Sequence, residues 1–311
     1  MNNQITDTIL MIRPVAFQRN EQTAVNNLFQ PRKDIMPEKT AQEQALEEFD
    51  QMVAMLRKEN IEVLVYSDDE ANTPDSIFPN NWNSFHENGI VYLYPMFAEN
   101  RREERREDIL KDIAKRNDVM LRVKTFEHFE KEGKYLEGTG SLILDRINYV
   151  AYAAISERTH PDVLTEFAKE TGFRIISFTA CQSYDGQRLP IYHTNVMMCL
   201  GEKFSVICAD CIDDEKEKKE VLDSLQNTGK ELILISEDQR DQFAGNMLQV
   251  RNKKGERFVV MSEAAYQSLD KGQIKQLEKH GKILHTPIPT IEKLGGGSVR
   301  CMMGEVFIPV K

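Results

Sequence analysis

Apolar and polar positions along this chain fall into blocks that recur in one order. After Glu137 comes the apolar run "SLILD", a polar break "RIN", a second apolar run "YVAYAAI", and then "PDVLTEFAKETG". The two runs predict strands joined by a short turn, and the last block, with apolar positions three and four apart, predicts an amphipathic helix ended by glycine. The same order follows His193, as "NVMMCL", "GEK", "FSVICADCI" and "DDEKEKKEVLDSLQNTGK". It follows Asn246 as well, as "NMLQV", "RNKKGE", "RFVVMS" and "AAYQSLDKGQIKQLEKHG". One more strand, such as "ELILIS" or "KILHTPI", closes each unit.

Five segments open such units: "DSIFPNNW", "YLEGTGSLIL", "IYHTNVMMCL", "QFAGNMLQV" and "GGGSVRCMMGEV". Each sets small or amide residues before an apolar strand. With Asn81, Glu137, His193, Asn246 and Cys301 as markers, the spacings are 56, 56, 53 and 55 residues, in the range of repeat architectures. The last copy stops at "CMMGEVFIPVK" without its partner strand, while the chain begins with a spare strand, "ILMIRPVAF", before the helix "AQEQALEEFDQMVAMLRKEN" and the strand "IEVLVYS". Pairing of the two ends would close a ring of five blades and remove exposed sheet edges. The expected fold is thus α/β, a five-bladed α/β propeller with pseudo-fivefold symmetry, as a single catalytic domain over residues 1–311 with the markers facing its middle. Three consecutive glycines, 295 to 297, in a chain with only 16 would give the backbone room to crowd there. Two unrelated α/β domains are the alternative, but no Pro/Gly/Ser-rich linker divides the chain.

Composition narrows the partners. A formal charge of −10 repels nucleic acid and anionic membranes at long range, so neither is expected and a small molecule is. The opening "MNNQITDTILMIRP" lacks the basic head and apolar middle of a secretion signal, and a cytoplasmic location is expected. Five cysteines (Cys181, Cys199, Cys208, Cys211 and Cys301) form an odd set in a chain too large to need staples, so free thiols are expected. Self-association is left open.

The markers carry a workable chemistry: a thiol at Cys301 for nucleophilic attack on an electron-poor carbon, an imidazole at His193 to move protons, and a carboxylate at Glu137 to orient them. Arg300 stands beside Cys301 and could favour its thiolate. "CADC", Cys208 to Cys211, has C-x-x-C spacing but no second pair or nearby histidines, and is expected to follow strand faces. "NRREERRED", residues 100 to 108, is expected to begin a solvated helix, although one of its arginines could instead hold a carboxylate. "EGTGS" is too short for a phosphate loop, and no metal-ligand spacing appears, so no cofactor or metal is expected.

These segments resemble the guanidino-group-modifying (pentein) enzymes, which include arginine deiminase, dimethylarginine dimethylaminohydrolase and amidinotransferase, and are nearest to the bacterial citrulline-utilisation hydrolases. "GGGSVRCM" resembles the nucleophile segment, "LEGTG" the acidic segment, "YHTN" the histidine segment, and "SERT", residues 156 to 159, a segment whose arginine meets the substrate carboxylate. The resemblance implies a five-bladed α/β propeller. It also implies that Cys301 attacks the central carbon of a guanidino or ureido group, that His193 protonates the leaving amine and activates water, and that Glu137 holds substrate nitrogens. Arg158, with Arg101 or Arg102, would grip the amino-acid end, and Asp75, Asn81 and Asn195 complete the expected binding set.

Two departures from the deiminases bear on the substrate. Asn81 and Asn195 stand where those enzymes carry aspartates that pair with the guanidinium cation. A carboxylate only accepts hydrogen bonds, whereas an amide also donates, which suits a neutral ureido group. Losing two charge-assisted bonds, at roughly 1.5–3 kcal/mol each, would move preference away from a guanidinium by roughly 10²- to 10⁴-fold. The expected reaction is hydrolysis of a citrulline-like amino acid to ornithine, ammonia and carbon dioxide. Deimination or amidino transfer on a guanidino compound is the alternative, and a non-catalytic small-molecule-binding protein on the same fold is a third.

Overall fold

The computed structural model describes residues 3–33, 36–68 and 72–309. The ends of the expected 1–311 domain, including the last two residues of "FIPVK", lie outside the described residues. The fold is mixed α/β, and its strands form five three-stranded sheets of one repeated order. In chain order, four of the sheets are Asn83–Phe85, Ile90–Leu93 and Arg122–Thr125; Ile143–Asp145, Val150–Ala154 and Arg174–Phe178; Met198–Leu200, Phe204–Ile207 and Glu231–Leu234; and Leu248–Arg251, Arg257–Ser262 and Lys282–Thr286. The first strand always pairs antiparallel with the second, and the second pairs parallel with the third.

The fifth sheet joins the chain ends. Gly304–Glu305 pairs antiparallel with Thr8–Arg13, Ile9 opposite Glu305, and Thr8–Arg13 pairs parallel with Glu62–Ser67. Thr6 strengthens the seam by donating its hydroxyl to the carbonyl of Val306 at 2.6 Å.

Parallel neighbours need a crossover, and helices supply it in every unit. The helix Glu38–Lys58 buries Ala41, Ala45, Phe49, Met52, Val53 and Leu56, spaced three and four apart. A fully buried side chain such as Phe49 stabilises the fold by about 1.5–3 kcal/mol. The helix Pro161–Thr171 ends where Gly172 turns left-handed, as its sequence predicts. "AAYQSLDKGQIKQLEKHG" instead forms two helices, Glu263–Ser268 and Lys271–Glu278. Asp270 breaks them apart by capping the second, with Gln273 returning the bond to its backbone, a capping box legible as D-x-x-Q.

A hairpin, Cys181–Tyr184 with Gln187–Pro190, stands between the second and third units. Its Asp185-Gly186 turn has both φ angles positive, the Asp-Gly signature of a tight hairpin. "NRREERRED" is not a solvated helix start: a short helix, Glu99–Arg102, turns before the longer Glu107–Asn117, and Arg101 is only 2% exposed. The cysteines are free. Cys208 and Cys211 are buried, and Arg240 donates to the Cys211 sulfur at 3.2 Å. Among the described residues no helix is long and apolar enough to cross a membrane.

A tight turn precedes the first strand of each sheet, and successive turns are hydrogen-bonded to one another. Thr139 donates to Asn80 O, Thr194 to Ser141 O, Asn246 to Asn195 O, and the backbone N–H of Arg300 to Asn246 Oδ1. Gly245 marks how close they come: a Cβ there would lie 2.4 Å from the carbonyl oxygen of Val196 and 2.7 Å from the carbonyl carbon of Met197. Both obstacles are backbone and cannot rotate away. Gly245→Ala should therefore cost about 1–3 kcal/mol, the range for overpacking a close-packed interior, measured as a lower urea midpoint at unchanged slope; an unchanged midpoint would show that the turns have slack.

Candidate active site

Glu137 immediately precedes the one-turn helix Gly138–Ser141 and is completely buried. Its Oε1 accepts the backbone N–H of Phe97 at 3.0 Å. Its Oε2 lies 2.8 Å from His193 Nε2, 3.4 Å from an Arg158 nitrogen and 3.8 Å from an Arg101 nitrogen. Burial alone would push this carboxyl up, but Arg158, the hydrogen bond and charge of His193, and Arg101 together hold it well below the usual carboxylate range. It is therefore ionised at neutral pH. Burial pushes His193 down to about 4, against the upward pull of Glu137. A neutral imidazole facing a carboxylate donates from Nε2, which leaves the lone pair on Nδ1.

Cys301 sits in the turn after Ser298, where its backbone N–H donates to the Ser298 carbonyl. The sulfur accepts two amide N–H groups, from Asn195 and Asn246, each at 3.3 Å. Cys301, His193, Asn81, Asp75, Arg101 and Arg158 line one narrow cleft. Arg300 does not reach the sulfur as its place in the sequence suggested: its guanidinium turns to Met303 O and Glu305.

The two amides that replace carboxylates have distinct settings. Asn81 Oδ1 accepts from Arg101 at 2.9 Å, so its amide NH2 is turned elsewhere, buried and without a partner among the described residues. Asn195 donates to the sulfur and leaves Oδ1 buried and unpaired. Asp75 accepts from Asn20 and Thr23 through Oδ2, while Oδ1 has no partner among the described residues. Around the sulfur and the cleft, one donor (Asn81 Nδ2) and two acceptors (Asp75 Oδ1 and Asn195 Oδ1) are left without a partner among the described residues.

The arginines divide. Arg158 faces Glu137 on one side and is held on the other by Asn26 Oδ1, at 3.0 Å from Nε, and Thr23 O, at 2.9 Å. Arg101 makes a bidentate pair with buried Glu104, at 2.8 and 2.9 Å, and also donates to Asn81 and the Phe78 carbonyl. Arg102 is not brought to the cleft; it turns to the Met96 carbonyl and Glu130. The sequence reading missed the segment around residues 20–30, whose Asn20, Thr23, Asn26, Asn27 and Gln30 bond to Asp75, Arg158 and the glycine run. Its only signal was the density of amides in "RNEQTAVNNLFQ". It also missed that Asn246 donates to the Cys301 sulfur. A cavity of about 290 Å³, walled by Val25, Leu28, Leu189 and Pro190, opens outside Arg158 and Tyr192.

Residues 13–308 match the family described as N,N dimethylarginine dimethylhydrolase, eukaryotic. The chain belongs to that family. It therefore lies within the guanidino-group-modifying pentein superfamily and is a hydrolase of carbon–nitrogen bonds. No curated protein sequence matches it. Among solved structures, the substrate-bound N-terminal domain of ArgZ, an arginine dihydrolase from the ornithine–ammonia cycle in Cyanobacteria, is 18% identical over 98% of this chain and 99% of that one, with a TM-score of 0.74. Unliganded AgrE is 19% identical with a TM-score of 0.73, and the chain spans 40% of its length; it likewise spans 41% of the longer ArgZ chain. A dimethylarginine dimethylaminohydrolase carrying an S-methyl-L-thiocitrulline adduct is 13% identical over 98% of this chain and all of that one, with a TM-score of 0.65. These likenesses show a shared pentein fold.

The lowered His193 fixes a direction of pH dependence. Its pKa falls from an ordinary 6.5 to about 4 on folding, so the unfolded chain binds the extra proton first as pH drops. The stability that neutral His193 supports is complete above about pH 6.5 and is lost as pH falls through about 4. Replacing it by Gln should flatten that part of the thermal-midpoint profile; a profile equally steep in both proteins would place the titration elsewhere.

Proposed function

We propose that the chain is a cysteine-dependent hydrolase that carries a guanidino or ureido amino acid through a covalent Cys301 adduct to an ornithine-type amine, ammonia and carbon dioxide. The five sheets are taken to close as a five-bladed propeller within one catalytic domain, which the pairing of Thr8–Arg13 with Gly304–Glu305 supports. The observation that carries the substrate reading is the pair of amides at Asn81 and Asn195. Arg101 holds the Asn81 carbonyl, so its NH2 is a donor where a carboxylate could only accept. A ureido carbonyl fits that donor, and the free Asn195 Oδ1 fits a ureido N–H. Asp75 Oδ1 would take the substrate ammonium. Arg158 would take the carboxylate in exchange for Asn26.

The thiolate of Cys301 adds to the central carbon and one amine leaves with a proton from His193, which had received it at Nδ1. His193 then draws a proton from water, whose oxygen attacks the adduct and breaks the C–S bond. For a citrulline-type substrate the first leaving amine is ammonia, the water releases a carbamic acid, and that acid's remaining C–N bond breaks as it loses carbon dioxide, so one water yields the amine, ammonia and carbon dioxide. A guanidino substrate takes a second water and releases a second ammonia, the ureido compound lying between the two steps. Glu137 keeps the imidazole in the required tautomer and its negative charge accommodates a guanidinium. The arginine dihydrolase description of ArgZ supports this two-step reading. A second reading, hydrolysis stopping at the ureido product, is favoured by the family description.

Incubation with arginine, dimethylarginine and citrulline, with amino acids and ammonia measured, tests the proposal. Ornithine and ammonia should form from citrulline, and Cys301→Ala should abolish the reaction. Conversion of arginine to citrulline with citrulline itself inert would overturn the proposal. Asn81→Asp should move the ratio of kcat/KM values toward arginine over citrulline by about 10- to 100-fold, one charge-assisted hydrogen bond; an unmoved ratio would remove the amide from the specificity argument.

A further inference from the structure

Two amide side chains donate to the Cys301 sulfur, and they are not equivalent. Asn195 has an oxygen with no partner among the described residues, so its amide is free to turn toward a bound molecule. Asn246 has none to spare. Its Oδ1 accepts the backbone N–H of Arg300 at 3.0 Å, and its Nδ2 donates to the backbone carbonyl of Asn195 at 2.9 Å. A backbone N–H can only donate and a backbone carbonyl can only accept, so the amide has one permitted orientation. The second hydrogen of Nδ2 is the one that faces the sulfur at 3.3 Å. Asn246 is completely buried, and its own backbone N–H is tied to Phe243 O.

We infer that Asn246 is a catalytic residue, the fixed donor that stabilises negative charge on the Cys301 sulfur whenever the C–S bond is absent. The inference rests on Cys301 as the nucleophile. Charge sits on the sulfur before it attacks and returns when water expels it from the adduct, so a donor there serves both halves of the reaction. An already oriented donor in a dry site needs no reorganisation as the charge appears. Asn195 cannot hold this role throughout if it turns to the substrate; Asn246 cannot leave it. The repeat explains the placement, since Asn246 occupies in the fourth turn the position that Cys301 occupies in the fifth.

The test compares wild type with Asn246→Asp, which keeps the shape but puts an acceptor against the sulfur, and with Asn246→Ser, whose short hydroxyl cannot span the same distance. Alkylation of Cys301 by iodoacetamide is followed against pH by peptide mass spectrometry, alongside kcat and KM. The midpoint of alkylation should move up by about one pH unit or more. kcat should fall about 10- to 100-fold with KM little changed, and recover partly at high pH. Should Asn246→Asp fail to fold, Asn246→Ser carries the same expectation. A folded variant whose alkylation profile superimposes on wild type, or whose kcat falls without that shift, overturns the inference. Alkylation needs no substrate, so a failure of the proposed reaction and a failure of this inference are distinguishable.

Discussion

The constraint on which the structure turns is the burial of Glu137. A carboxylate with no exposure to water survives only if cations and donors replace its hydration. Arg158, Arg101, His193 and the Phe97 N–H do so. Each brings obligations of its own. Arg158 needs Asn26 and Thr23 behind it, which pins the 20–30 segment over the site. Arg101 needs Glu104, which explains why an arginine in a highly charged stretch turns inward. His193 donates its Nε2–H to the Glu137 carboxylate and keeps the lone pair on Nδ1. One buried charge therefore positions the segment that covers the site, the arginines behind it and the proton carrier.

The backbone makes this network possible by bringing five turns together. Each turn precedes a short first strand, and four bonds, from two threonines, an asparagine and a backbone N–H, join the five in chain order. Glycine is required where backbones touch, as at Gly245. Gly140 has the same logic inside the site: a Cβ there would lie 2.4 Å from Asn81 Nδ2 and 2.8 Å from the His193 ring. The repeat thus supplies the scaffold, and the side chain at each turn supplies the difference: amide, carboxylate, imidazole, amide and thiol.

Much of this was legible because the function uses the repeat. Glu137, His193 and Cys301 stand out at near-constant spacing, and the strand pairing at the chain ends follows from the unpaired strand at each terminus. Other features follow no period. The 20–30 segment lies between the first strand and its helix, outside the repeated pattern, and the bonds that tie it to the site, to Asp75, Arg158 and Gly295, are long-range. Arg101 and Arg102 look alike in sequence, and only the direction of the short helix Glu99–Arg102 sends one inward and the other outward. The 181–190 hairpin is an insertion between units, marked only by Asp-Gly. Asn246 was visible as a marker, but nothing in its sequence neighbourhood shows that two backbone groups lock its amide.

The most direct measurement is the nitrogen NMR spectrum of the imidazole of His193, recorded against pH in the folded protein. The account predicts a neutral ring with its proton on Nε2 and none on Nδ1 at pH 7, held until the pH approaches about 4. An imidazolium at pH 7, or a neutral ring protonated on Nδ1, would contradict it, because Nδ1 would then have no lone pair to take up and return protons.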